Sequence, residues 1–185
     1  MTALSAPLLV LASTSTFRRE LLARLQLPFV VASPDVDELA LPGEQPVETA
    51  ERLAVAKARA VAGEFHKALI IGSDQVACCG AAIYGKPGTR ANARRQLAQM
   101  RGRMVVFHTA VCLLNAATGS AQCRAVPTEV VFRDFSDDEI ERYLNREDAL
   151  NCAGSAKAEG LGIALIGLPL IALCRMLRAE GVQLP

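Results

Sequence analysis

Tryptophan is absent and aromatic residues make up only 4% of the chain, so a stacking platform for single-stranded nucleic acid is not expected. Charge of either sign is not in excess. Lys+Arg 20 against Asp+Glu 19 leaves a net +1, so no global basic field draws the protein to nucleic acid or to a membrane surface. Any anionic ligand must be held by local clustering. Histidine is scarce (His66 and His108) and the six cysteines form no CxxC, so zinc-ligand spacing is missing. Cys78, Cys79, Cys112, Cys123, Cys152 and Cys174 read as scattered buried thiols of a reduced cytosol. Walker A and GxGxxG loops are both missing, which excludes a P-loop and a Rossmann phosphate site. No apolar run reaches bilayer length: Leu161 to Cys174 is short and is broken by Gly167 and Pro169. No Lys or Arg precedes the first apolar run, so that run is expected to be a strand, not a signal peptide.

What is present is 185 residues, 51% hydrophobic, rich in Ala, Leu and Val. That length suits one large domain or two joined lobes with a proper core. The expectation is a cytoplasmic α/β protein with a small-molecule ligand, without nucleic-acid or membrane partners. No oligomeric state follows from the sequence, and a homodimer is compatible with it.

The chain is organised around Leu8 to Arg19. An aliphatic strand ends in Ser13-Thr14-Ser15-Thr16, and a helix opens on Phe17-Arg18-Arg19. Phe17, Leu21 and Leu25 lie one turn apart with Leu22 beside them, so that face turns inward and Phe17 also suits a core position. Ser15 or Thr16 suits the N-cap. Hydroxyls, arginine and a helix N-terminus make an anion site, and equally a capped surface helix.

A second strand is expected at Leu27–Ala32, then an acidic turn Asp35-Val36-Asp37-Glu38. A helix over Val47 to Gly63 follows, with a stripe of Val47, Ala50, Ala54, Ala58 and Val61. Lys57 lies on that stripe, so it either snorkels to an edge or meets an anion. Ala68–Gly72 is an apolar strand with Ser73-Asp74-Gln75 at its end. Strand ends hold catalytic groups in α/β sheets, and they also hold turn-capping aspartates. Ala81–Gly85 is a short strand. Thr89 caps a helix from Arg90 to Met100. Met104–Leu114 and Gln122–Phe135 form an antiparallel hairpin, with Pro127 at an edge or bulge. Ser136 and Glu139 make a capping box for a helix to about Asn145. A buried strand at Leu161–Ile166 and a last helix between Pro169 and Gly181 complete a mixed sheet, parallel first and a hairpin later.

Arg18, Arg19, Glu38, Lys57, Asp74, Lys86, Lys157 and Glu159 stand beside strand ends or loops. Basic groups from separate segments suit a phosphate tail, and carboxylates suit a divalent ion bridging phosphate oxygens.

Seven segments in register resemble Maf-family nucleotide pyrophosphatases: Leu11 to Leu22, Asp37-Glu38, Ala56-Lys57-Ala58, Gly72 to Val76, Gly85-Lys86-Pro87, Ala153 to Gly160 and Gly167 to Leu170. The resemblance covers nearly the whole chain and implies one Maf-like domain over residues 1–185. It implies an α/β fold of the inosine-triphosphate-pyrophosphatase type, with a twisted mixed sheet, flanking helices and a cleft between two lobes. It also implies hydrolysis of a nucleoside triphosphate to monophosphate and pyrophosphate with a divalent cation, Mg²⁺ or Mn²⁺. By the same resemblance Asp74 is the base that activates water. Ser13, Arg18, Lys57 and Lys86 hold phosphates, and Glu38 joins Asp74 at the metal. Phe17, Gln75 and Glu159 resemble the 7-methyl-GTP pyrophosphatase branch, which usually has an aromatic, Gln and Glu at these positions, whereas pyrimidine-preferring members carry Arg, Thr and Gln. An aromatic face can stack on a cationic 7-methylguanine, and a carboxylate can accept its N–H groups. The alternatives are a pyrophosphatase for dTTP, UTP or other modified nucleotides, and a non-catalytic nucleotide-binding regulator of cell division.

Overall fold

The computed structural model describes residues 7–157 and 170–182. The expected strand at Leu161–Ile166, Pro169 and Glu159 lie outside the described residues. Strands run β1 Leu9–Ala12, β2 Val30–Ala32, β3 Leu69–Cys79, β4 Ala82–Tyr84, β5 Met104–Asn115 and β6 Ala121–Val131. Helices run α1 Thr16–Ala23, α2 Pro46–Ala60, α3 Arg90–Met100, α4 Asp137–Arg146 and α5 Leu170–Ala179. The sheet order is β2-β1-β3-β5-β6, with β4 on β3. It is mixed, as expected: β1 is parallel to β2 and β3, whereas β4 is antiparallel to β3. Asn115 N–H donates to the Ser120 carbonyl and closes the β5–β6 hairpin. Pro127 lies in β6, the last strand of the order, where its missing N–H is tolerated.

The chain divides into two compact units. The first takes Met1–Asp74, Thr109–Val126 and Gly167–Pro185. Its strands alternate, and the alternation assigns its helices. Leu9, Leu11, Leu69, Ile71, Val111 and Leu113 point to one face, where they pack on Leu21 and Leu22 of α1 and on Leu173 and Leu177 of α5. The intervening Val10, Ala12, Ile70 and Gly72 are fully buried on the other face, with Ala50, Leu53, Ala54 and Ala58 of α2. The second unit takes Gln75–His108 and Pro127–Ile166. Its core joins Ala77, Tyr84, Leu97, Met100, Phe107, Ile140 and Leu144. There α3 packs on α4, fastened by ion pairs Arg90–Glu141, Arg94–Glu141 and Arg101–Asp137.

Local signals set most of the boundaries. Ser15 is the N-cap of α1, accepting from the Arg18 N–H at 3.3 Å. Thr89 caps α3, and Ser136 with Glu139 forms the expected box on α4. Pro46 begins α2, one residue before the expected start, as a proline at N1 should.

Two expectations need correction. First, β3 does not end at Gly72. It runs through Ser73, Asp74 and Gln75 to Cys79 and is buried almost throughout, so Asp74 is a mid-strand residue, not a strand-end one. Val76 to Cys79 continue the apolar run until Gly80 turns the chain (φ +60°) into β4. Second, the cysteines are not uniformly buried. Cys78, Cys79 and Cys112 are buried, Cys152 and Cys174 partly so, and Cys123 is exposed.

Candidate functional site

The site grows from the contact between α2 and β3. Gly72 faces α2 so closely that a Cβ placed there would lie 2.0 Å from the Ala54 carbonyl oxygen and 2.8 Å from the Ala58 nitrogen. Only a glycine admits that approach. It lets Lys57, on the same inward stripe of α2, reach Asp74, two residues further along β3 and hence on the same face of the sheet. The Lys57 Nζ donates to Asp74 Oδ1 at 2.6 Å and lies 2.6 Å from Glu38 Oε1. Lys57 is 5% exposed and Asp74 8%, so the lysine does not snorkel, and the aspartate is no turn cap. The Glu38 side chain is the open member of the trio, at 42% exposure.

Glu38 is carried by the loop between β2 and α2, and a clamp overlooked in the sequence ties that loop down. Arg52 on α2 donates to both carboxylate oxygens of Glu44, from Nε at 2.6 Å and from Nη2 at 2.8 Å, and to the Leu39 carbonyl at 2.9 Å. Glu44 also accepts from the Leu41 N–H at 3.0 Å and the Thr49 hydroxyl at 2.9 Å. The Arg52 guanidinium holds the Glu44 carboxyl far below its usual range, at about 2. Glu44 and Arg52 are eight residues apart across a helix start, a spacing with no sequence signature of its own.

Ser13 is buried at the end of β1, and its Oγ accepts from the Ser15 N–H at 3.2 Å. Ser15 in turn caps α1, so the two hydroxyls fold the turn that feeds the helix N-terminus. Phe17 and Arg18 in the first turn are half-buried, and Arg19 is exposed. The first unit therefore carries Ser13, Phe17, Arg18, Glu38, Lys57 and Asp74, and it joins the last three directly.

The second unit carries Gln75 and Lys86. Gln75 follows Asp74 in a regular strand, so the two side chains leave opposite faces. Lys86 is exposed in the loop after β4. Lys157 pairs with Glu147 at 3.0 Å, which raises its pKa. The backbone N–H of Lys157 donates to the Tyr143 hydroxyl at 2.8 Å, and that hydroxyl donates to the Ser155 carbonyl. Glu159 lies outside the described residues.

Two hard carboxylates around an ammonium suit phosphate chemistry. Among the described residues no three His, Cys, Asp or Glu side chains converge as a metal cage. A Mg²⁺-like ion uses one or two carboxylates and takes its remaining ligands from substrate phosphates and water, so Asp74 and Glu38 fit such an ion.

A family model described as Maf-like protein matches residues 8–180. The chain belongs to the Maf-like protein family. Three relatives of this Maf-like chain are each named 7-methyl-GTP pyrophosphatase. One from Aromatoleum aromaticum is 60% identical over 96% of the chain and 97% of that protein. One from Methylobacillus flagellatus is 57% identical over 96% and 98%. One from Pseudomonas putida is 52% identical over 96% and 98%. The solved structure of a HAM1 protein from Coxiella burnetii superposes with a TM-score of 0.52 at 19% identity, covering 70% of the chain and 74% of that structure. That is a likeness of fold, and it agrees with the expected inosine-triphosphate-pyrophosphatase type.

Proposed function

We propose that this chain is a nucleoside triphosphate pyrophosphatase that hydrolyses 7-methyl-GTP to 7-methyl-GMP and pyrophosphate. The observation that carries the reading is the buried Lys57–Asp74 pair with Glu38 against it, in a chain 60% identical to a protein of that name.

Asp74 is the base. Its Oδ1 is held by Lys57, which fixes the carboxylate in a site shielded by β3 and α2. A water that gives its proton to Asp74 forms the new O–P bond at the α-phosphorus. The bond from that phosphorus to the bridging oxygen breaks, and pyrophosphate leaves with the electron pair. Lys57, Ser13 and Arg18 hold phosphate oxygens, with Ser13 using its hydroxyl hydrogen, since its oxygen already accepts from Ser15. Glu38 and Asp74 would hold Mg²⁺ or Mn²⁺, which supplies charge neutralisation at the phosphates. Phe17 meets the cationic base through its ring face. The resemblance assigns Lys86 to phosphate and Gln75 and Glu159 to base selection within the same proposal.

The test is pyrophosphate release from 7-methyl-GTP, GTP, UTP and dTTP with Mg²⁺ or Mn²⁺. Asp74→Asn is expected to lower kcat by about 10²–10⁴, the range for a lost general base. Turnover of UTP or dTTP well above 7-methyl-GTP would refute the substrate, and no turnover of any triphosphate would refute the enzyme.

A further inference from the structure

Cys112 and Cys123 face each other across the β5–β6 hairpin. The register follows from the Asn115 N–H to Ser120 carbonyl bond: counting back along β5 and forward along β6 from that pair sets Cys112 opposite Cys123. Hydrogen-bonded and non-hydrogen-bonded pairs alternate along an antiparallel ladder, which makes this a non-hydrogen-bonded pair. Such pairs bring their Cα atoms to about 4.5 Å, within the range of about 4.4–6.8 Å that a disulfide spans. The Cβ atoms of an opposed pair stand about 4.5–5.5 Å apart, so a closure of about 1 Å brings them to disulfide spacing.

Side chains of a directly opposed pair leave the same face of the sheet, so the two thiols lie side by side. They differ in environment. Cys112 is completely buried in β5, while Cys123 is exposed on the last strand of the sheet order. The Cys112 thiol, hydrogen-bonded to the Cys123 sulfur, lowers Cys123 from the ordinary thiol range, whereas that bond and burial push Cys112 up. One sulfur is thus an accessible nucleophile and the other waits beneath it.

Cys123 opens on a depression of roughly 600 Å³ against the outer face of α2, lined also by Glu48, Glu51, Arg52, Val55, Ala56 and Arg59. The Cys123 thiol reaches the Glu51 carbonyl at 3.8 Å. Glu48, Glu51, Arg52 and Arg59 can meet the amino and carboxylate groups of a small zwitterionic peptide disulfide, and Val55 and Ala56 its methylene groups.

We propose that Cys112 and Cys123 form a redox-active dithiol that is thiolated at Cys123 by a low-molecular-weight zwitterionic disulfide and then closes to an internal Cys112–Cys123 bond. The Cys123 thiolate attacks one sulfur of the external disulfide. A mixed disulfide forms, and the first small thiol leaves with the proton that Cys123 lost. Cys112 then gives up its proton and attacks the Cys123 sulfur, and the second small thiol leaves with that proton. Two protein thiols are oxidised and one external disulfide is reduced to two thiols.

The test uses the full chain and oxidised glutathione as the probe, with unreacted thiols blocked by N-ethylmaleimide and peptides mapped without reduction. In wild type the Cys112 and Cys123 peptides become linked, two hydrogens lighter than the separate pair. Cys123 reacts about tenfold faster than the partly buried Cys152 and Cys174. Cys112→Ser traps a stable glutathione adduct on Cys123, and Cys123→Ser leaves Cys112 unmodified. A stable adduct on wild-type Cys123 without the link would overturn the proposal. So would modification of Cys123 no faster than Cys152 and Cys174.

Discussion

Replacing Gly72 by alanine adds one methyl group where β3 meets α2, and the structure gives that methyl no room. Its Cβ would stand 2.0 Å from the Ala54 oxygen, 2.8 Å from the Ala58 nitrogen and 3.1 Å from the Ala54 carbonyl carbon. The nearest contact falls about 1.5 Å short of an ordinary separation of about 3.5 Å. All three atoms are backbone, so no side chain can rotate away, and the helix itself has to move. Overpacking of this kind costs about 1–3 kcal/mol where neighbours yield. Here the cost should reach about 3 kcal/mol or more. For a chain of this size that is a fall in Tm of about 6–12 °C, at about 2–4 °C per kcal/mol. The same movement separates Lys57 from Asp74, now 2.6 Å apart, and a misplacement of about 1 Å at a reacting group lowers turnover by about 10². Calorimetry and pyrophosphate release on the same preparation read both effects. Gly63→Ala is the control, because nothing lies within 4 Å of its added Cβ, and it should shift stability by less than about 0.5 kcal/mol. A Gly72→Ala protein within about 2 °C of wild type and with full turnover would refute the claim that this contact sets the site.

The Arg52–Glu44 clamp makes a pH prediction. The folded-state pKa of Glu44 is depressed from 4.5 to about 2, so its contribution is present above the unfolded value and is lost as pH falls from about 5 toward 2. Glu44→Gln should flatten that part of the acid limb in urea midpoints measured against pH, and a limb of unchanged slope would contradict the clamp. Ser136→Ala removes the hydroxyl that accepts from the Glu139 N–H and should lower stability by about 1 kcal/mol, read as a drop in Tm of about 2–4 °C.

Much of this protein could be read locally. The caps Ser15, Thr89 and Ser136 were visible because a hydroxyl before an amphipathic run has one efficient use, the orphan N–H groups of the first turn. The strand pattern of the first unit and the later hairpin followed from runs of aliphatic residues and the turns between them. Lys57 was conspicuous because helical periodicity put an ammonium on an apolar stripe. Where β3 stops was not legible. Ser73-Asp74-Gln75 looks like a strand end, yet the backbone ladder is indifferent to side-chain polarity once tertiary partners receive it, and Lys57 receives Asp74. The exposure of Cys123 was equally hidden, because it depends on β6 being last in the sheet order.

The sequence by itself determined the family, most of the described elements and the residue types available for phosphate chemistry, since all three rest on short-range pattern. Only the tertiary structure decided which of those residues meet. Lys57 and Asp74 are seventeen residues apart. They are neighbours because Gly72, lacking a side chain, lets a helix lie against a strand at a distance that no other residue would allow.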